Sequence, residues 1–193
     1  MSKKILVILG QPQRNSYGGA LAQAYIEGAR AAGAEVREIY LGDLRFDACP
    51  ASGAPNPAGL EPDLARAQES IKWAEHLVFV YPIWWGTIPA LLKGFVERVF
   101  LPGFAVNFRD NSPLWDKLLK GRSARLIVTL NTPSWIYRWY FGRPGHNTMK
   151  KTILQFCGVS PVRITEVGPI KNSTDAKRKQ WLDQVRALGA RLA

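Results

Sequence analysis

Two adjacent tryptophans, Trp84 and Trp85, lie between Pro82 and Pro89 in the stretch YPIWWGTIPALLKG, Tyr81 to Gly94. Each indole N–H needs a partner when buried, so the pair suits contact with a planar heterocycle better than packing alone. Backbone N–H groups of residues 84 to 86 could donate to the polar edge of such a ring, with Gly86 allowing close approach. A second stretch, GQPQRNSYGG from Gly10 to Gly19, places Gln11, Arg14, Asn15, Ser16 and Tyr17 just ahead of a helix. Free N–H groups and the helix dipole favour an anion there, and phosphate is the chemistry they suggest. Asn15 or Ser16 could equally serve as the helix cap. The spacing matches neither the dinucleotide G-x-G-x-x-G fingerprint nor a P-loop.

Apolar β-type runs alternate five times with helical patterns, which predicts βαβ units and a parallel sheet covered on both faces. The strands are expected at Ile5 to Leu9, Glu35 to Tyr40, Leu77 to Tyr81, Arg125 to Leu130 and Val162 to Val167. The first helix ends at Gly33 as a left-handed cap. Leu64, Ala67, Ile71 and Ala74 mark the second, Pro89 suits the first turn of the third, and Asn147 to Cys157 forms the fourth, capped by Gly158. In the last helix, Trp181, Val185, Leu188 and Leu192 make an apolar stripe. Residues 41–62, 101–122 and 131–146 read as loops or irregular insertions. The expected architecture is a single α/β domain over residues 1–193, a three-layer sandwich with strand order 2-1-3-4-5. That order opens a crevice beyond the carboxyl ends of strands one, three and four, where the loops 10–19, 82–88 and 131–146 meet.

The segment YPIWWGTIPALLKGFVERVFLPGFA, Tyr81 to Ala105, resembles the flavin-binding segment of the NAD(P)H:quinone oxidoreductase family, flavodoxin-like flavoproteins of the DT-diaphorase type. The first loop is similar to that family's phosphate loop. DLRF at Asp43 and FCG at Phe156 to Gly158 add to the likeness, which runs from Lys4 to about Val167. The resemblance implies FMN, with FAD as the alternative, NAD(P)H as co-substrate, and two-electron transfer of hydride through flavin N5 to a quinone-like planar acceptor. It implies a ring contacted by Pro82, Ile83, Trp84, Trp85 and Gly86, a phosphate against Gln11, Asn15, Ser16 and Tyr17 with Arg14 near, and Asn131 and Thr132 lining the crevice. It further implies a homodimer. Tyr140 and His146 have the six-residue spacing of a tyrosine and histidine that steady charge on the reduced flavin in the family, and Tyr137 is a rival for the tyrosine role. Two departures stand out: Gln11 replaces a histidine of the animal enzymes, and Pro133 removes a backbone donor from the third loop.

The chain has 193 residues and a formal charge of +11. Charge alone is only an electrostatic footprint, and no nucleic-acid-binding module is recognisable. Cys49 and Cys157 lie in unlike contexts without zinc-type spacing, so neither a disulfide framework nor a metal site is expected. The first apolar run stops at Leu9, too short for a signal peptide or a span, and a cytoplasmic enzyme is expected. WIYRWYF, Trp135 to Phe141, reads as a stacking wall for flat substrates, with a membrane-surface wedge or a subunit contact as alternatives. A regulatory, redox-sensing flavoprotein docked on a membrane transport system is the other functional class.

Overall fold

In the computed structural model, which describes residues 2–50 and 59–191, the apolar runs form the expected central strands. β1 (Lys4–Leu9), β2 (Glu35–Tyr40), β3 (His76–Pro82), β6 (Ser123–Thr129) and β7 (Val162–Val167) make a parallel sheet in the order β2-β1-β3-β6-β7. This is the 2-1-3-4-5 order once the short hairpin between β3 and β6 is left out of the count.

Alternation along each strand divides the core in two. Ile5, Val7 and Leu9 face α1 (Tyr17–Ala31) and α6 (Asp175–Ala190), where they meet Leu21, Tyr25, Ile26 and Val185. Leu6 and Ile8 face α2 (Pro62–Trp73) and α3 (Ala90–Val99), against Leu64, Ile71, Leu92 and Phe95. β3 is buried at every position, as a central parallel strand covered on both sides should be.

Four expectations are corrected. Residues 101–122 are not wholly irregular: β4 (Val106–Phe108) and β5 (Trp115–Lys117) form an antiparallel hairpin. It is pinned by Trp115, whose ring stacks on Phe156 at 4.3 Å and whose Nε1 donates to the Phe156 carbonyl at 2.9 Å. The 131–146 loop contains α4 (Ser134–Trp139) and the single turn α5 (Pro144–Asn147). The helix that follows is π-wound over Thr148–Gln155. Pro89 caps α3 from outside, with extended ψ, instead of entering its first turn. Gly33 and Gly158 have the positive φ expected of left-handed caps. Leu192 and residues 51–58 of the 41–62 connection lie outside the described residues.

At the amino end of the sheet His76 is buried, its Nδ1 2.8 Å from Ser123 Oγ. Burial, helped by the charges of Lys3, Arg125 and Arg163, pushes its pKa down to about 3. The unfolded chain therefore binds a proton near pH 6.5 that the native state refuses, and stability falls as pH drops below that value. Between pH 6.5 and 5 His76 accounts for a loss of about 2 kcal/mol. His76→Gln should flatten urea-derived stability over this window by that amount, and an unchanged pH slope would show that His76 is not held neutral.

Candidate functional site

The loops after β1, β3 and β6 converge on a crevice of about 300 Å³ at the carboxyl edge of the sheet, lined by Gln11, Ser16, Gly18, Trp84, Thr129 and Ile170 among others. Ser16 is the N-cap of α1: its Oγ accepts from Gly19 N–H at 3.1 Å and donates to the Gln13 carbonyl at 2.8 Å. Gln11 donates its side-chain amide to Ser16 Oγ and to the Gln13 carbonyl. The capping reading of Ser16 therefore holds, and it leaves the Tyr17 and Gly18 N–H groups without a protein acceptor among the described residues. These face the crevice mouth at the positive end of α1, where an anion is favoured.

The other first-loop residues are arranged less directly. Arg14 stacks on Tyr40 at 3.9 Å and lies 3.4 Å from Asp43, so its guanidinium is held along a neighbouring groove of about 590 Å³ that Asn15 also lines. The Tyr17 hydroxyl is turned away to donate to the Arg178 carbonyl at 2.9 Å. Only its backbone and ring remain for a ligand.

In the second loop, Ile83 N–H donates to the Thr129 carbonyl at 2.8 Å, extending the β3–β6 pairing past Pro82. Trp84 and Thr87 exchange two backbone bonds of 3.0 Å around Trp85 and Gly86, both at positive φ (50° and 78°), the pattern of a tight type I′ turn. A left-handed tryptophan is strained, and such strain persists where surroundings hold it and tends to mark functional turns. The turn uses the Trp84 N–H, one of the three donors expected from sequence. Those of Trp85 and Gly86 remain open among the described residues. Trp84 lines the crevice, whereas the Trp85 side chain stands wholly in solvent.

The third loop supports this turn. Tyr137, the inward residue of α4, donates its hydroxyl to the Gly86 carbonyl at 2.9 Å and accepts from Gly145 N–H at 3.0 Å. Its ring centroid is 5.1 Å from that of His146. His146 is buried, with Nε2 3.1 Å from Glu166 Oε1 on β7. Burial and Arg143 hold its pKa below the ordinary histidine value against the opposing pull of Glu166, so its ring is neutral at neutral pH.

Tyr140 is not brought to His146: it is exposed and meets Phe141 edge-on at 5.0 Å. Tyr137 takes the inward place because α4 presents that side, while Tyr140 falls just beyond its last turn. Asn131 spends its side-chain oxygen on Lys171 N–H at 2.9 Å, tying two loops together, and Thr132 is half-buried beside it. Thr129, Ile170 and Glu166 were not singled out from sequence. The signal for Thr129 and Glu166 is their position at the carboxyl ends of β6 and β7, where ligands of such sheets bind.

A planar ligand with an anionic tail suits these groups: a crevice lined by Trp84, open donors on the Trp85–Gly86 turn, and an unsatisfied helix start next to it. Among similar proteins is a ribosyldihydronicotinamide dehydrogenase-like protein of Penicillium crustosum, 32% identical over 152 residues. That match covers 66% of this chain but only 57% of the fungal protein. The FMN-dependent NADH:quinone oxidoreductase of Ruegeria pomeroyi is 28% identical over 182 residues, covering 86% of this chain and 89% of the relative. The solved NAD(P)H:quinone oxidoreductase of Methanothermobacter marburgensis superposes over 100% of this chain and 98% of its own with a TM-score of 0.83, and at 23% identity that likeness is one of fold. The profile of the family described as having a flavodoxin-like fold matches residues 3–189, which take in all five parallel strands and all but the last residue of α6. The chain belongs to the flavodoxin-like fold family.

Proposed function

We propose that the chain is an FMN-dependent NAD(P)H:quinone oxidoreductase. The observation that carries this reading is the crevice at the carboxyl ends of β1, β3 and β6, with open backbone donors both at the start of α1 and on the Trp85–Gly86 turn. The Ruegeria pomeroyi relative, similar along most of both chains, supports the choice of cofactor and of reaction class. When bound, the flavin supplies the redox chemistry, accepting hydride from NAD(P)H and delivering it to a planar quinone-like acceptor.

The chain's own contribution is binding and orientation. Tyr17 and Gly18 N–H groups receive the phosphate, and Trp84 walls the slot that admits one flat ring at a time. Trp85 and Gly86 N–H groups would be the donors available to the polar edge of such a ring. Tyr137 holds that turn through the Gly86 carbonyl, and neutral His146 backs Tyr137. The tyrosine role is thus assigned to Tyr137 as a positioning residue in preference to Tyr140. The resemblance further implies a homodimer, which sedimentation velocity tests directly.

The reading is tested by anaerobic bleaching of the flavin-loaded protein with NADH or NADPH and recolouring with menadione. Failure of both nucleotides to bleach it would overturn the assignment. Tyr137→Phe removes the bond to the Gly86 carbonyl and the one from Gly145 N–H, which keeps its own longer bond to that carbonyl at 3.3 Å, so it should cost about 1 kcal/mol of stability. It should weaken flavin binding about tenfold, the equivalent of one such bond. Tyr140→Phe should leave flavin affinity within about twofold, a change below the energy of a single hydrogen bond. The reverse ordering would restore Tyr140 to the site.

A further inference from the structure

Strand alternation gathers a set of polar side chains at the amino edge of the sheet, the end opposite the crevice. Ile5 of β1, Val78 of β3, Ile127 of β6 and Val167 of β7 all face α1 and α6. Counting back by twos along each strand puts Lys3, His76, Ser123 with Arg125, and Arg163 on that same face. A cavity of about 170 Å³ opens there, lined by Lys3, His76, Ser123, Ala124, Pro161 and Arg163. No carboxylate is in its wall. The volume is that of about five or six waters, room for one tetrahedral oxyanion and little besides.

His76 is the group in this wall that calls for a ligand. It is 2% exposed, its Nδ1 lies 2.8 Å from Ser123 Oγ, and its Nε2 has no hydrogen-bond partner among the described residues. A buried ring nitrogen without a partner is costly, and native structures seldom leave one so. With the Ser123 hydroxyl donating to Nδ1, the ring proton sits on Nε2 and the missing partner is an acceptor. Lys3 and Arg163 share the wall, and Arg125 on the same face donates to Thr165 Oγ1 at 2.9 Å. An acceptor that also carries negative charge suits the imidazole and the cations together. Glu35 and Glu75, which end on this edge, are engaged elsewhere: Glu35 accepts from Ser2 Oγ at 2.6 Å and Glu75 from Lys4 N–H at 3.2 Å. Burial and the charges of Lys3, Arg125 and Arg163 keep His76 neutral. An anion set among these cations opposes their field and draws a proton to the ring.

We propose that this cavity binds a tetrahedral oxyanion of the phosphate or sulfate type, held by Lys3, His76 and Arg163 across the amino ends of β1, β3 and β7. The bound ion would tie together strands far apart in sequence and stabilise the edge of the sheet remote from the crevice. The site is independent of the reductase reading.

The chain has two histidines, His76 and His146, so imidazole proton–nitrogen correlation spectra of the protein as purified report on this cavity and on the crevice separately. Sodium sulfate, exchanged against chloride at constant ionic strength, should shift the His76 ring signals saturably, half-way on the order of 1 mM. The His146 signals should stay in place. Sulfate keeps its charge between about pH 7.5 and 5.5, and over that window its affinity should rise severalfold as a proton joins His76. His76→Gln keeps a side-chain donor but cannot titrate, and sulfate affinity in that variant, read by calorimetry, should lose its pH dependence. Arg163→Gln should weaken sulfate about tenfold, the equivalent of one charge-assisted bond. Its far-ultraviolet dichroism should match the parent's, because Arg163 is exposed. Inorganic phosphate should displace sulfate. Glycerol phosphate displacing it equally well would name phosphate monoesters as the ligand class, and its failure would name the free inorganic ion. The proposal is overturned if neither sulfate nor phosphate moves the His76 signals up to about 50 mM, if only His146 responds, or if Arg163→Gln binds as tightly as the parent. The assay contains neither nicotinamide nor quinone, so its failure is separable from failure of the reductase reading.

Discussion

Gly19→Ala should lower flavin affinity on the order of a hundredfold, equivalent to about 2.7 kcal/mol. A Cβ built on Gly19 would stand 1.9 Å from the Arg14 carbonyl oxygen, a backbone atom that also accepts from Ser16 N–H at 2.9 Å. The new methyl can be housed only by moving the Arg14–Ser16 turn, which carries the cap of α1 and sets the direction of the Tyr17 and Gly18 N–H groups. Alanine raises helix propensity by about 1 kcal/mol over glycine, so propensity alone would give the opposite sign. Gly18→Ala is the control. There the nearest atom is Gln11 Oε1 at 3.1 Å, a side-chain atom that has to give by only a few tenths of an ångström. Its affinity should remain within about threefold, well under 1 kcal/mol. Fluorescence titration of the apoproteins with FMN measures both, and equal affinities for Gly19→Ala and the parent would show that the loop does not hold the phosphate.

Gly28→Ala should destabilise the fold by about 2–3 kcal/mol, the usual cost of forcing extra volume into a close contact. α1 and α6 touch backbone to backbone: a Cβ on Gly28 would stand 2.0 Å from the Arg186 carbonyl oxygen, and one on Gly189 2.1 Å from the Tyr25 carbonyl oxygen. Neither carbonyl can yield without parting the helices, which would loosen Leu21, Tyr25 and Val185 in the core beneath. The two sites share one contact, so the pair Gly28→Ala/Gly189→Ala should cost less than the sum of the singles. Urea denaturation at neutral pH measures these values. Unchanged or raised stability in Gly28→Ala would mean that the two helices lie further apart than described.

The parallel sheet was legible because its strands are short apolar runs bounded by Gly, Pro or polar turns, and because the amphipathic helices between them are long enough to show a period. α4 was not legible. Six residues span less than two turns, Pro133 precedes them, and three aromatics and an isoleucine lack strong helix propensity. With only Tyr137 buried there is no stripe to read. The same shortness hid β4 and β5, three residues each, which are pinned by the contact of Trp115 with Phe156 far along the chain.

The site was readable as three loops but not as side-chain directions. Spacing of six residues to His146 points to Tyr140, whereas helix geometry turns Tyr137 inward three residues earlier. The strained turn at Trp85 sends one indole to the crevice wall and the other into solvent, a division that a WW dipeptide alone does not reveal. Glu166 escaped notice because a single acidic residue in VRITEV looks like an ordinary solvent-facing strand position until β7 is placed beside β6.

If the crevice at the carboxyl edge of the sheet holds a flavin, an equilibrium titration of the apoprotein with FMN, followed by absorbance and tryptophan fluorescence, reads it without any turnover. The expected result is saturable one-to-one binding, with a perturbed visible spectrum and quenching that includes Trp84. A protein that stays colourless and unquenched with FMN and with FAD alike would mean that the crevice is not a flavin site.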